Sequence, residues 1–244
     1  MLQSLEFYHL SNIITVVDSN RLPPQLMHTL SDTLQDTKVK MPIPQVFKIL
    51  RKIQEDKRLS LKYAMLVYGQ LAKNVLSSDD FSSQITVKDK ARLLYYYAAI
   101  AKKHQIRAAD QLIKIFCVDI MDNFQFVDEK TVLNILDAIN EAQWSYSDTR
   151  AAQQSDMCAL NTKLNKFVCE MAIKQPDLVD INFLAQYLAK FSQLKAPAFR
   201  SRLEDEMVDM LKDKISDPQT LKSMTDFSAT EYIRAADNLK RLDP

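Results

Sequence analysis

The chain of 244 residues contains a single glycine, Gly69. At an average usage of about 7%, roughly seventeen glycines would be expected. Phosphate-cradling loops, dinucleotide-binding fingerprints and the glycine-flanked serine of hydrolases need glycine at fixed spacings, so these motifs are excluded. A chain with so little glycine is expected to be nearly all helix. Gly69 itself lies in a predicted helix, where it is expected to permit a close approach of another helix.

Cysteine and histidine are also scarce, with three residues of each. They stand far apart in the sequence, without the spacing of metal ligands or of a disulfide framework. The odd number of cysteines is typical of a reducing interior. We expect no metal and no cofactor, and we expect structural roles for all six, with the cysteines as buried small hydrophobes: His9, His28, His104, Cys117, Cys158 and Cys169.

Long apolar runs are absent as well, because no stretch of eighteen apolar residues occurs, so no membrane span is expected. The first thirty residues hold one base, Arg21, and two acids, Glu6 and Asp18. That composition does not fit a secretory signal and fits a transit peptide poorly. No small-molecule substrate is evident.

The net charge of +1 hides an uneven distribution. Residues 1–115 carry 17 Lys and Arg against 10 Asp and Glu, whereas residues 116–244 carry 15 against 21. A basic half and an acidic half of one chain predict two different partners. The alternative is a chance division of solvated faces.

What the sequence does contain is a recurring helical register. Apolar residues occur in six quartets at i, i+3, i+4 and i+7, which place one stripe along two turns of helix. The quartets begin at Leu10, Val46, Leu93, Val132, Leu184 and Tyr232. We call the helices that carry them A helices.

A second amphipathic stretch, the B helix, follows each quartet except the last. Prolines and capping residues mark many of the boundaries, as expected for helix starts: Pro23, Pro24, Pro42, Pro44, Thr86, Asp128 and Asp180. The pattern predicts one all-α domain over residues 1–244, an α-solenoid-like array of about six helical hairpins. A compact helical bundle is the alternative.

Residues 179–194 and 227–242 resemble the A helices of octotricopeptide and FAST-kinase-type leucine-rich repeats, and residues 85–100 form a looser third copy. The resemblance implies an organellar, usually mitochondrial, protein that binds RNA or scaffolds a large assembly. Tyr187, Tyr96 and Ala235 stand near the place of that family's tryptophan, and its C-terminal RAP-type extension is absent. No base-reading residues are carried over.

The first candidate contact surface lies within residues 88–107, around Tyr95-Tyr96-Tyr97. Tyr96 and Tyr97 fall in the apolar register, whereas Tyr95 points about 100° away and is expected at the surface. Aromatic rings among bases suit single-stranded RNA, and an acidic protein partner is the other possibility. The candidate residues are Lys88, Lys90, Arg92, Tyr95, Lys102, Lys103 and Arg107.

The second candidate surface is the segment between two predicted helices at residues 143–150. It carries Trp144, the only tryptophan, and Tyr146. Insertions in repeat arrays fall on surface loops, and tryptophan is enriched at binding hot spots. Packing of Trp144 over its own hairpin is the alternative. The acidic run Glu204–Glu206, with Asp209, Asp213 and Asp217, is interpreted as the polar face of an amphipathic helix rather than a cation site.

These patterns favour a protein that is not an enzyme. The predicted function is a helical-repeat scaffold or accessory subunit of a larger, mitochondrial assembly that acts through protein–protein contacts. The alternative is an organellar RNA-binding repeat protein. An enzyme whose site is built from helix faces is the third hypothesis.

Overall fold

The computed structural model describes residues 7–17, 23–35, 41–55, 61–77, 85–105, 110–143, 155–174, 179–194 and 217–240, together with Asp209 and Asp213. Regular structure in these ranges is helical, and no β-strand occurs in them. The predicted all-α class is therefore confirmed. A search of the same ranges finds no helix with the length and apolarity that crossing a bilayer requires.

The chain divides into two compact units, Met1–Phe116 and Cys117–Pro244, which we call unit 1 and unit 2. Their boundary lies one residue from the division between the predicted basic and acidic halves. The helices are α1 (Phe7–Val16), α2 (Pro24–Thr33), α3 (Ile43–Glu55), α4 (Leu61–Ser77), α5 (Val87–His104), α6 (Asp110–Asp122), α7 (Glu129–Ala142), α8 (Asp156–Lys174), α9 (Ile181–Phe191), α10 (Pro218–Lys222) and α11 (Asp226–Lys240). A 3₁₀ turn at Phe124–Phe126 precedes α7.

In unit 1, the A helices pack against one another in chain order, and α1 and α3 also pack against B helices. Helix α1 contacts α2 and α3, helix α2 contacts α4, and α3 contacts α4 and α5. The odd-numbered helices of unit 1 thus contact one another in chain order, and the even-numbered helices α2 and α4 contact each other.

In unit 2, the A helix α7 contacts the B helix α8 and the next A helix, α9. Helix α9 in turn contacts α11, which carries the last quartet. The 3₁₀ turn packs onto α8 through the edge of the Phe124 ring, whose centroid is 5.2 Å from that of Phe167.

The predicted quartets supply much of the core in both units. All residues of the quartets that begin at Val46, Val132 and Leu184 are at most 2% exposed. The register is less buried elsewhere, because Ile13 is 38% exposed and the Tyr96 ring reaches the surface. The predicted B helix at Leu203, Met207, Met210 and Leu211 lies outside the described residues, whereas Asp209, Asp213 and Asp217 are exposed.

Side-chain caps begin three of the A helices where the sequence predicts them. The Thr86 hydroxyl accepts a hydrogen bond from the Asp89 amide at 3.2 Å, and the Asp128 carboxylate accepts one from the Thr131 amide at 2.8 Å. The Asp180 carboxylate accepts one from the Asn182 amide at 2.9 Å. These caps satisfy amides that have no partner within their own helix.

Helix α5 ends at Gln105, which has φ 53° and ψ 43°. This left-handed conformation is the one that glycine takes at many helix ends. Among the described residues, Gln105 is the one non-glycine residue with positive φ. Helix α5 therefore ends in the left-handed conformation without a glycine.

Polar side chains tie neighbouring A helices together at their ends. In unit 1, the Lys52 ammonium donates to the carbonyl of Val17, the residue after α1, at 3.1 Å. The Lys103 ammonium donates to the Ile53 and Gln54 carbonyls of α3 at 2.9 and 2.8 Å. These carbonyls belong to the last turns of helices, where no backbone amide remains to bind them.

The prediction that Gly69 permits a close helix approach is wrong. A β-carbon built at Gly69 meets no atom within 4 Å, so its lack of a side chain does not serve packing. In the middle of α4, glycine only adds freedom to the unfolded chain.

We expect Gly69→Ala to raise the free energy of unfolding by about 1 kcal/mol, because alanine has the higher helix propensity. Urea denaturation followed by circular dichroism measures this change. A loss of stability in the variant would show that a neighbouring group occupies the space beside Gly69.

Candidate functional site

The structure places six of the nine predicted contact residues on α5, at two separate ends of the helix. Lys88, Lys90 and Arg92 lie near its start, and Lys102 and Lys103 lie in its last turn. Ten residues at 1.5 Å per residue put about 15 Å between Arg92 and Lys102. Arg107, Trp144 and Tyr146 lie outside the described residues. The predicted surface is therefore not one cluster.

At the end of α5, Lys103 serves the fold, because its ammonium binds the last carbonyls of α3. Its neighbour Lys102 is exposed. His104 is half-buried, and burial lowers the pKa of its imidazole, with the Lys103 charge as the second cause. This end of the helix holds neighbouring helices together and offers few cations that are available to a partner.

Tyr95, expected at the surface, is half-buried. Its hydroxyl accepts a hydrogen bond from the Gln54 amide group at 2.8 Å, and its ring lies 5.4 Å from that of Tyr96. The reason is the neighbouring A helix: α3 approaches α5 closely enough for the end of its last turn to bind the hydroxyl. The sequence contains no signal for that contact between residues 54 and 95.

At the start of α5, Arg92 lines an open groove of about 510 Å³ between α3 and α5, which we call groove 1. Three cations and one acid border it. Its lining residues are Ile43, Pro44, Phe47, Lys48, Arg51, Asp89, Arg92 and Tyr96. Of these cations, the sequence predicts only Arg92 as a contact residue, because the other two belong to a helix more than forty positions earlier.

The Arg92 guanidinium lies over the face of the Phe47 ring, 4.1 Å from the ring centroid. The Phe47 ring is itself 7% exposed, and the Tyr96 ring lies 6.0 Å from it. Within the described part of the chain, the Arg92 guanidinium has no hydrogen-bond partner. This contact holds the guanidinium at the wall of the groove, which Arg92 lines.

The other two cations of groove 1 hold weak, exposed partners. The Arg51 guanidinium donates to Glu55 at 2.8 Å, and this hydrogen bond raises the pKa of Arg51 further above its usual value. The Lys48 ammonium donates to the Asn12 side chain at 3.2 Å. Exposed pairs of this kind contribute little to stability, so an incoming anion can replace them.

A second open groove, of about 440 Å³, lies between α7 and α9 in unit 2, and we call it groove 2. Acids outnumber bases here. Its lining residues are Glu129, Lys130, Leu133, Asn134, Asp137, Asp180, Phe183, Gln186 and Lys190.

Two of the charged groups of groove 2 pair with each other. The Lys190 ammonium donates to the Asp137 carboxylate. Burial nevertheless raises the pKa of Asp137 above its ordinary value, because the loss of solvent outweighs the effect of Lys190. Burial also raises the pKa of Glu129, and a hydrogen bond with the main chain at Asp180 offsets part of this increase.

The two grooves occupy the same place in the repeat register. All five α3 residues of groove 1 have counterparts in groove 2 that are 86 positions later; Phe47, for example, corresponds to Leu133. On the second helix of each groove, Asp89 and Arg92 correspond to Asp180 and Phe183, each 91 positions later. The same offsets separate the quartets, so one type of surface recurs with different side chains.

Among the described residues, no group of three His, Cys, Asp or Glu side chains could hold a metal ion. Burial raises the pKa of the Cys117 thiol to about 12, so it stays protonated at neutral pH. Cys117 is buried as predicted, whereas Cys158 and Cys169 are half-buried because they flank the inward face of α8.

The arrangement of groove 1 suits the binding of an anionic group beside apolar surface. Comparison of the chain with protein-family models, with curated proteins and with solved structures gave no match.

Proposed function

We propose that the chain is a non-catalytic helical-repeat scaffold or accessory subunit that binds protein partners in a larger assembly. One observation carries the proposal: the surface between consecutive A helices recurs at the same register in both units, with different chemistry. Repeat proteins bind in this way, because the core residues of each repeat are kept while the residues between them vary.

We also propose that the helices form a solenoid-like array of about six hairpins, and the helix contacts support this arrangement. In unit 1 the A helices α1, α3 and α5 contact one another in chain order, and the B helices α2 and α4 contact each other. In unit 2 the A helices α7, α9 and α11 follow the same order. A bundle around a shared axis would instead bring helices distant in sequence order into contact.

The mitochondrial location remains part of the proposal and rests on the family resemblance alone. Microscopy of the tagged full-length chain against a mitochondrial marker tests it. A diffuse signal would remove this part of the proposal and leave the binding role standing.

For the binding role, we expect Arg51→Glu/Arg92→Glu to lose a partner that co-purifies with the wild-type chain from its native source. Reversal of two groove charges should cut the recovered partner about tenfold or more, because charged contacts at the centre of an interface are among its most sensitive. Quantitative mass spectrometry of the purified complexes measures the recovery.

The matched control is Lys174→Glu/Arg234→Glu, which makes the same change in net charge at two exposed sites in unit 2. It should keep the partner at the wild-type level. Equal recovery with both double variants, while the circular dichroism spectra stay native, would count against groove 1 as the contact surface.

RNA binding is the second candidate, and the three cations that line groove 1 favour it. Phosphate contacts would make the affinity for single-stranded RNA fall steeply as salt rises. An oligouridylate titration of the full chain from low to physiological salt measures this dependence. Tight, salt-dependent binding that the Arg51→Glu/Arg92→Glu variant loses would replace the scaffold proposal by this one.

A further inference from the structure

We infer that groove 1 binds an acidic segment of a partner protein, with a carboxylate paired to the Arg92 guanidinium and an apolar side chain of that segment against Ile43 and Pro44. This inference rests on the proposed scaffold function and names the chemistry of its partner. In groove 1, a guanidinium without a hydrogen-bond partner among the described residues lies beside apolar surface.

The Arg92 guanidinium is prepared for a planar anion before any partner arrives. Its Cζ atom lies 4.1 Å from the Phe47 ring centroid, and this contact reduces the rotational freedom that is left to lose on binding. A guanidinium offers parallel N–H donors that match the two oxygens of a carboxylate. Because these donors have no hydrogen-bond partner among the described residues, a carboxylate displaces nothing that the fold requires.

Lys48 and Arg51 extend the positive charge along α3, one helical turn apart. Their present contacts, with Asn12 and Glu55, lie at the surface and are exchangeable. A segment with acidic residues at helical spacing can therefore meet Arg92 first and these two cations next. The single acid of the groove, Asp89, accepts a hydrogen bond from the Thr86 hydroxyl at 2.7 Å and is held at the helix start.

The aromatic groups of groove 1 favour a protein segment over RNA. Arg92 covers the face of Phe47, so that ring is not available to stack a base. Beside the groove, the Tyr95 hydroxyl is bound to Gln54, and its ring packs at a tilt of 60° against Tyr96, the other ring that lines groove 1. Single-stranded RNA recognition depends on free aromatic faces, whereas an acidic peptide needs only cations and apolar surface.

Groove 2 shows what the same surface lacks when the key residues differ. At the place of Arg92 stands Phe183, and at the place of Arg51 stands Asp137, whose carboxylate already binds Lys190. Acidic peptides should therefore select groove 1 and not its counterpart.

The experiment selects peptides of about twelve residues from a random displayed library on the immobilised full-length chain. We expect enrichment of Asp and Glu together with one large apolar residue. The best peptide, made synthetically with a fluorescent label, is then titrated by anisotropy. A second peptide with Asn and Gln in place of Asp and Glu should bind about tenfold more weakly or worse.

Variants locate the binding site. Arg51→Gln/Arg92→Gln should weaken the best peptide about tenfold or more, whereas the charge-matched control Lys174→Gln/Arg234→Gln should change its affinity less than about twofold. Arg92→Lys keeps the charge and loses the planar fork, so it should also weaken binding. Its native circular dichroism spectrum and melting temperature would show that the fold is intact.

Three results would overturn the inference. The first is a selection without Asp or Glu enrichment, and the second is peptide binding that the groove variants leave unchanged. The third is displacement of the labelled peptide by an oligouridylate at a lower concentration than unlabelled peptide needs. That result would assign the groove to RNA. Retention of a native partner by groove 1 in the co-purification, without acidic enrichment here, rejects this inference and leaves the scaffold proposal intact.

Discussion

Replacement of Tyr187 by alanine is expected to lower the free energy of unfolding by about 4 kcal/mol, as for other large aromatic side chains removed from a core. Tyr187 is fully buried in α9, the helix that contacts both α7 and α11. Its ring lies 6.2 Å from that of Phe183 and 6.3 Å from that of Phe191. Urea denaturation measures the loss, and hydrogen exchange of α9 peptides shows where it occurs.

Two further variants divide that loss. Tyr187→Phe keeps the ring and removes the hydroxyl that donates to the Asn165 side chain, so it should cost about 1 kcal/mol. Ile233→Ala, at a position 62% exposed, should change stability by less than about 0.5 kcal/mol. A Tyr187→Ala protein as stable as Ile233→Ala would contradict the packing of α9 described above.

The tyrosine pair of unit 1 should respond in opposite directions to the same chemical change. The Tyr97 hydroxyl is buried and has no hydrogen-bond partner in the part of the chain that the structure describes. Tyr97→Phe removes this unsatisfied group and is expected to raise the free energy of unfolding by about 1 kcal/mol. Tyr68→Phe is expected to lower it by about 1 kcal/mol, because the Tyr68 hydroxyl donates to the Tyr97 carbonyl at 3.1 Å.

The same pair predicts a pH dependence. Burial raises the pKa of Tyr97 well above 10, and the charge of Tyr68 raises it further. In the unfolded chain Tyr97 ionises near pH 10. Below that pH its ionisation does not affect the free energy of unfolding, whereas above it the unfolded chain releases the proton and the free energy of unfolding falls. Urea denaturation of both variants at pH 7 and at about pH 11 should show a larger advantage of Tyr97→Phe at the higher pH. An equal effect of the two substitutions would contradict the hydrogen bonding described for the pair.

Much of the fold could be predicted from the sequence because the signals were local. The quartets of α3, α7 and α9 are buried as their spacing predicts, since the helical period places those residues on one face. The caps at Thr86, Asp128 and Asp180 were readable for the same reason: donor and acceptor lie within three residues. The prediction for Gly69 was wrong because the space beside a residue depends on its neighbouring helices.

The candidate site was predicted only in part because it belongs to two helices. Arg92 was found on α5, but Lys48 and Arg51 were missed because their place beside it depends on how α3 packs. Lys103 was predicted to face a partner, and the structure instead uses it to bind the end of α3. A sequence pattern shows that a cation lies on a helix surface, and only the neighbouring helix decides whether that cation is available.

The left-handed end of α5 also limits how this chain can change by mutation. Asparagine and glycine tolerate the φ of 53° at Gln105, whereas a β-branched residue there would bring its side chain against the backbone. Substitutions at residue 105 that preserve the fold should therefore be limited to a narrow set of amino acids.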